Sequence, residues 1–307
     1  MSVQLDLTRS PYVAVIERTL REKAPYLVGV LQKQFNEFGD SWLSRFESDL
    51  GVAFAGKLPA LAEAAAGYIR FALDGMLLQK RFDKTGRYEP KTFAQAADEV
   101  YQNRDYMFNL YLPGIYLSHF LWRHHYLQHI FFVERFRPLM VSHGGELFFD
   151  VGVGTGFYSK EMLRLMPDLQ GRGFDLSEHS LAYTQRTLAA FSLGQRYTCE
   201  IRDIVNDPPP GTAPFLVNVE VLEHLEQPGL FLKALFRLLE PGGFGFITAA
   251  ITAPNADHIY LYNSAQEVIE QIKGAGFRVV DFTEDWAYEP AKPGESVPRN
   301  AAIIVTK

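Results

Sequence analysis

The chain has 307 residues, enough for one large domain or two modest ones, and its 47% hydrophobic and 21% charged residues exclude a disordered chain. A formal net charge of −6 argues against a basic grip on nucleic-acid phosphates. One cysteine, Cys199, excludes a disulfide framework and points to a reducing compartment. The opening MSVQLDLTRS carries no apolar signal core. No stretch approaches the roughly 18 uninterrupted apolar residues of a membrane span. The expected setting is cytoplasmic, without a membrane or nucleic-acid partner.

Residues 11–140 read as helices. Ile16 and Leu20, then Tyr26, Leu27, Val30, Leu31 and Phe35, follow helical spacing. Leu58–Leu78 is rich in alanine, and Phe93–Tyr101 and Ile115–Phe136 continue the pattern. Breaks are expected at Gly39-Asp40, Lys84-Thr85-Gly86 and Pro113-Gly114. After His143-Gly144-Gly145 short apolar runs alternate with amphipathic ones: ELFFDV, a helix from Tyr158, GRGFD, a helix from Glu178, YTCEIR and FLVNVE. A helix from Gly229, GFGFITAA, a helix from Ser264, FRVVDF and AAIIVTK complete the series. This alternation predicts an α/β fold, a parallel sheet with helices on both faces, behind an all-helical N-terminal cap. The division falls near residue 140, into a cap over 1–140 and an α/β domain over 141–307.

The first strand-to-helix turn reads DVGVGTG, residues 150–156, at the place where open α/β sheets bind ligands. Gly152, Gly154 and Gly156 let the backbone turn sharply and approach a ligand closely. The dinucleotide fingerprint G-x-G-x-x-G is not met, because position 157 is Phe and the third glycine comes one residue early. Asp150 would also repel a pyrophosphate, but it suits a ligand with an amino group. Asp175 ends the second strand, where a carboxylate can accept ribose hydroxyls, and Asp203 ends the third, placed for an adenine amino group.

DVGVGTG, GFDLS, IRD, VEVLEHLEQP and LLEPGGFGFIT resemble, in order and spacing, the successive motifs of class I S-adenosylmethionine-dependent methyltransferases over about residues 145–307. The resemblance implies a Rossmann-like seven-stranded sheet whose last strand, about Ala301–Thr306, is antiparallel, and S-adenosylmethionine as cofactor. It implies that Gly152, Gly154 and Gly156 wrap the methionine end beside Asp150. Asp175 would hold the ribose hydroxyls, Asp203 the adenine, Ile204 would offer its backbone N–H to the ring, and Glu220 would stand under the methionine portion. Members often carry Asp at the start of the fourth strand, where this chain has Pro214-Phe215.

A methyl acceptor should lie over the fourth and fifth strands. His224 follows Glu220 by four residues and, with an imidazole pKa of about 6.5, suits a base or a hydrogen-bond partner. In the loop ITAPNADHIYLYNS, His258 and Tyr260 are the candidates. The aromatic and His-rich segment 106–129 should form the other wall, with residues 101–126 closing as a lid. Tyr106, Tyr116, His119, Phe120 and Arg123 are its candidates, the last four sharing one helical face at i, i+3, i+4 and i+7. His119 and Tyr116 join His224 and His258 as candidate catalytic groups. His125 and His129 pair at i, i+4, but without a Cys or carboxylate beside them no metal is expected. The expected activity is methylation of an O, N or C atom of a small metabolite, by a monomer or homodimer. Alternatives are another reaction on the same cofactor, such as cyclisation or decarboxylation, and a noncatalytic scaffold.

Overall fold

The structure, a computed structural model, describes residues 4–290, 292 and 295–307. Its N-terminal half is helical because helix-prone runs are punctuated by proline at starts and glycine at stops. Pro11–Lys23 and Leu58–Thr85 both carry Pro in their first turn, where its missing N–H leaves no bond unmade. The second ends at Gly86, left-handed at φ 66°, whose N–H donates to Phe82 O. Between them, Gly29–Ala53 is bent at Gly39 (φ 66°, ψ −155°), at the expected break.

Pro113-Gly114, expected as a third break, is not one. The chain runs helically from Arg104–Tyr106 through a wide turn at Met107–Tyr111 into Leu112–Leu121, with Pro113 again in a first turn. Gly114 is needed for packing instead, since a Cβ there would lie 2.5 Å from Phe71 Cγ. The helix breaks at Trp122 (φ −101°, ψ 125°), so the expected Ile115–Phe136 helix is two, and Arg123–Phe131 starts afresh.

The strands are β1 Leu147–Val151, β2 Gln170–Asp175, β3 Tyr197–Ile201, β4 Ala213–Asn218, β5 Leu239–Ile251, β6 Arg278–Trp286 and β7 Arg299–Thr306. They form one seven-stranded sheet in the order β3-β2-β1-β4-β5-β7-β6. The first five pair in parallel, and β7 runs antiparallel to both β5 and β6, as the final strand of a Rossmann-like methyltransferase sheet was expected to. Pro214 cannot donate to the ladder, and the β4–β5 register shifts between Ala213 and Phe215. β1 lies between β2 and β4, so the chain turns outward on both sides of it and leaves a crevice at the strand carboxyl ends.

One face of the sheet packs Phe149, Leu216 and Ile303 against the helices Pro228–Leu238 and Ala265–Gly274. The other face shares a continuous core with the N-terminal helices: Phe148, Phe246 and Ile304 join Trp42, Phe46, Phe120 and Phe136. In that seam, fully buried Lys160 pairs with Asp49 and Glu161, while Arg45 and His129 also reach Glu161. Burying such charges is costly unless every member is matched, so the cluster pins one register between helices and sheet. No helix among the described residues is long and apolar enough to cross a membrane.

Candidate functional site

A cavity of about 1030 Å³ opens over the carboxyl ends of β1, β2 and β4 and continues beneath the N-terminal helices. That is at the upper end of ordinary ligand sites, enough for two small molecules side by side. Its two ends are made differently.

At one end the walls are loop backbone. Gly152, Gly154 and Gly156 all have positive φ (81°, 51° and 71°), a region that side chains disfavour. A Cβ on Gly152 would meet Val221 at 2.4 Å and one on Gly156 would meet Thr184 at 2.8 Å, whereas one on Gly154 would project into open space. Gly156 therefore serves the turn and the N-terminus of Phe157–Leu165, while Gly152 and Gly154 line the cavity. Asp150 is buried below this turn and accepts from Ser159 Oγ at 2.6 Å. Burial pushes its pKa up to about 7, the Ser159 bond opposes this and the Asp175 charge adds to it, so the site calls for a cation. Asp175 accepts from Ser177 N–H (2.8 Å) and Gly154 N–H (3.3 Å); burial raises its pKa against those bonds. Asp203 also lines the cavity, but its oxygens accept from Val205 N–H, Asn206 N–H and Asn206 Nδ2. Burial works against its ionisation, and the Asn206 and Val205 bonds outweigh it and hold its pKa down. Ile204 is buried beside it at the cavity wall.

At the other end the walls are side chains. Glu220 sits in a left-handed conformation (φ 53°), rare for a residue with a Cβ. Its N–H donates to Thr248 Oγ1 at 2.9 Å, and that hydroxyl donates back to Glu220 Oε1 at 2.6 Å, so the strained turn fixes the carboxylate at the cavity. Glu223, His224 and His258 line the same end. Burial raises the pKa of Glu220 and Glu223, and Glu220's charge pushes Glu223 further. His224 Nδ1 lies 3.2 Å from Asp257 O and 3.4 Å from Asp257 Oδ2. Asp257 Oδ2 also accepts from Tyr101 Oη (2.9 Å) and Tyr111 Oη (2.5 Å). Burial opposes ionisation of Asp257, but His224 and the two phenols outweigh it and keep it a carboxylate. His258 Nδ1 lies 2.5 Å from Ala253 O, and burial, aided by His224, drives its pKa down to about 3.

The helical candidates separate. His119 reaches the cavity, stacked on Phe157 at 4.0 Å between ring centroids and held neutral by burial and its neighbour His125. Arg123 also lines it, paired with both oxygens of Glu37. Tyr116 and Phe120, expected at the acceptor, lie instead in the core: Tyr116 donates to Asp49, and Phe120 stacks on Phe46. Tyr116, His119 and Phe120 share the helix Leu112–Leu121, which is buried all round, so its side chains divide between the cavity and the core, while Arg123 opens the next helix. Tyr106 sits outside the main cavity, at an adjoining cleft with Lys91. Tyr260 turns its hydroxyl to Gln271 rather than to the cavity. His125 binds Ser118 and His129 binds Glu161, so the i, i+4 pair is not a joint ligand set. Sequence analysis did not single out Asp257, Glu223, Tyr101, Tyr111 or Trp122, although Asp257 adjoins His258, Glu223 adjoins His224, and the other three fall within the segment 101–126 expected as a lid.

Residues 149–244 match a family described as "Methyltransferase domain". The chain is 30% identical over 122 residues to a ubiquinone biosynthesis O-methyltransferase of Parvibaculum lavamentivorans, covering 40% of this chain and 47% of that one. It is 33% identical over 101 residues to the enzyme of the same name from Idiomarina loihiensis, covering 32% and 40%. The matched segment thus spans less than half the length of these relatives. Two solved structures share the fold: one described as "PigF with SAH" (TM-score 0.52, 14% identity, 98% of each chain) and an O-methyltransferase family protein from Burkholderia thailandensis (TM-score 0.53, 14% identity, 80% and 71%). With its motifs at the ends of a sheet of this order, the chain is similar over residues 149–244 to a methyltransferase domain and shares the fold of these structures.

Proposed function

We propose that this chain is an enzyme that transfers a methyl group from S-adenosylmethionine to a hydroxyl oxygen of a small acceptor. The observation that carries this is one cavity with a glycine-and-carboxylate cradle at one end and a buried carboxylate–imidazole cluster at the other. The cradle fits the cofactor: Asp150, buried and held partly protonated, awaits an ammonium group, and Gly154 leaves open space where a Cβ would stand. Gly152 and Gly154 would wrap the methionine end and Asp175 would take the ribose hydroxyls. Asp203 and Ile204 would meet the adenine, and Glu220 would bound the methionine side. When bound, S-adenosylmethionine supplies an activated methyl group already carrying its leaving group.

What remains for the protein is to align the acceptor, exclude water and take up the hydroxyl proton. The cluster of Glu220, Glu223, His224 and His258, braced by Asp257, offers proton acceptors at that place. The naming of the relatives as O-methyltransferases supports oxygen over nitrogen or carbon. In this proposal residues 1–140 form the acceptor-binding part and 141–307 the cofactor-binding part. Tyr111, His119 and Trp122, which line the cavity, close over the acceptor.

The test is methyl-label transfer from S-adenosylmethionine by the purified chain to a panel of phenols, aliphatic alcohols and amines. Label on a hydroxyl oxygen, with micromolar binding of S-adenosylhomocysteine, is the expected result. Label only on nitrogen or carbon would overturn the oxygen assignment, and binding of NAD without S-adenosylhomocysteine would overturn the cofactor assignment.

A further inference from the structure

We propose that Glu223, His224 and His258 form a binding site for a first-row divalent metal ion at the acceptor end of the cavity, contrary to the metal-free site expected from sequence. One ligand atom from each of the three lies within 4.8 Å of the others. An ion bound tetrahedrally at about 2.1 Å wants ligand atoms roughly 3.4 Å apart, a closure within the reach of side-chain torsions. Two histidines and a glutamate are a recurrent set for zinc and iron(II) sites that keep open positions.

Two further observations point the same way. The Glu223 side chain is fully buried. Among the described residues neither of its carboxylate oxygens has a hydrogen-bond partner. A buried carboxylate left so is costly unless a cation or a proton meets it. Both imidazoles, meanwhile, turn Nδ1 to a backbone carbonyl, His224 to Asp257 O at 3.2 Å and His258 to Ala253 O at 2.5 Å. A carbonyl accepts only from N–H, so Nδ1 is the donor in both rings and Nε2 is the ring atom left to face a ligand. This is the outer hydrogen bond that fixes the tautomer of metal-bound histidines. His224 Nε2 stands 4.0 Å from Glu223 Oε1.

The inference rests on the acceptor end proposed above. An acceptor hydroxyl in an open coordination position would be acidified. Its O–H bond would break with the proton passing to Glu220, and the electron pair left on oxygen would form the new bond to the methyl carbon as the carbon–sulfur bond breaks and its pair leaves with sulfur in S-adenosylhomocysteine. His224 is then a ligand rather than the proton acceptor.

The full chain, stripped with a chelator and dialysed, should be titrated with Co(II), reading the visible absorption of the bound ion, and with Zn(II) by calorimetry. One equivalent is expected to bind. Glu223→Gln and His258→Ala should each weaken it at least about tenfold, with S-adenosylhomocysteine affinity unchanged as the check on folding. No stoichiometric Co(II) or Zn(II) binding by the stripped wild-type chain would overturn the site, as would binding that both variants leave intact. Methyl transfer by fully metal-free protein would remove the metal from the proposed reaction while leaving the methyltransferase assignment standing. Metal binding without methyl transfer to any acceptor would do the reverse.

Discussion

The two ends of the cavity teach different lessons about how a chain builds a site. The cofactor end is written in short contiguous stretches. Asp150 to Gly156 form one turn, and Asp175 and Asp203 stand at or just past the ends of successive strands of one parallel sheet. Backbone conformation and strand order place them all. The acceptor end is assembled from side chains far apart in sequence. Tyr101 and Tyr111 reach Asp257 across 156 and 146 residues. The first end should therefore be sensitive to backbone changes, and the second to the loss of single side chains.

The sharpest break between the ends is Gly154→Val. With φ at 51° and the new side chain projecting into the cavity, S-adenosylhomocysteine binding should fall by more than about a thousandfold, a loss on the order of 4 kcal/mol. Calorimetry checks it, with the thermal midpoint as control; retained binding would mean that the cradle lies elsewhere. Next, Asp257→Asn removes the charge that His224, Tyr101 and Tyr111 share. Acceptor kcat should drop by about a hundredfold, while S-adenosylhomocysteine affinity stays within a few-fold. If both fell together, the ends would not be separable.

Asp175→Ala should weaken the cofactor by about 1–3 kcal/mol, the effect of stranding buried hydrogen-bonding groups, and should spare acceptor KM.

A pH series gives a smaller effect of known sign. Burial first, then the charge of Asp175, raises the Asp150 pKa to about 7, while Ser159 opposes and the Tyr197 phenol and Cys199 thiol facing it are neutral in this range. If Asp150 meets the ligand's ammonium group, bound protein has a lower pKa than free protein and binding releases a proton. Affinity for S-adenosylhomocysteine should then rise by up to about tenfold per pH unit as pH climbs toward 7 and level off above it. Asp150→Asn should flatten the curve, and a curve unchanged in that variant would remove Asp150 from the contact.

The mildest change tests the correction among the helical candidates. Tyr116→Phe should leave both ends untouched and lower stability by about 1–2 kcal/mol, because Asp49 loses a hydrogen-bond donor. A selective loss of acceptor turnover would restore Tyr116 to the site.

Strand–helix alternation and the glycine turn were legible in the sequence, the first from local periodicity and the second because a positive φ favours glycine, whereas the antiparallel last strand was implied only by the resemblance to the methyltransferase family. The carboxylates at the strand ends were legible from the same alternation: once strands alternate with helices, their carboxyl ends face one crevice. Tertiary structure alone decided what the helical half contributes. Helical spacing put Tyr116, His119, Phe120 and Arg123 on one face, but Trp122 breaks the helix, and burial sorted two toward the cavity and two into the core. It also brought Glu223 and His224, from the turn after β4, against His258, from the loop after β5. No local pattern carries that information, because those contacts depend on how the loops after β4 and β5 fold over the end of the sheet.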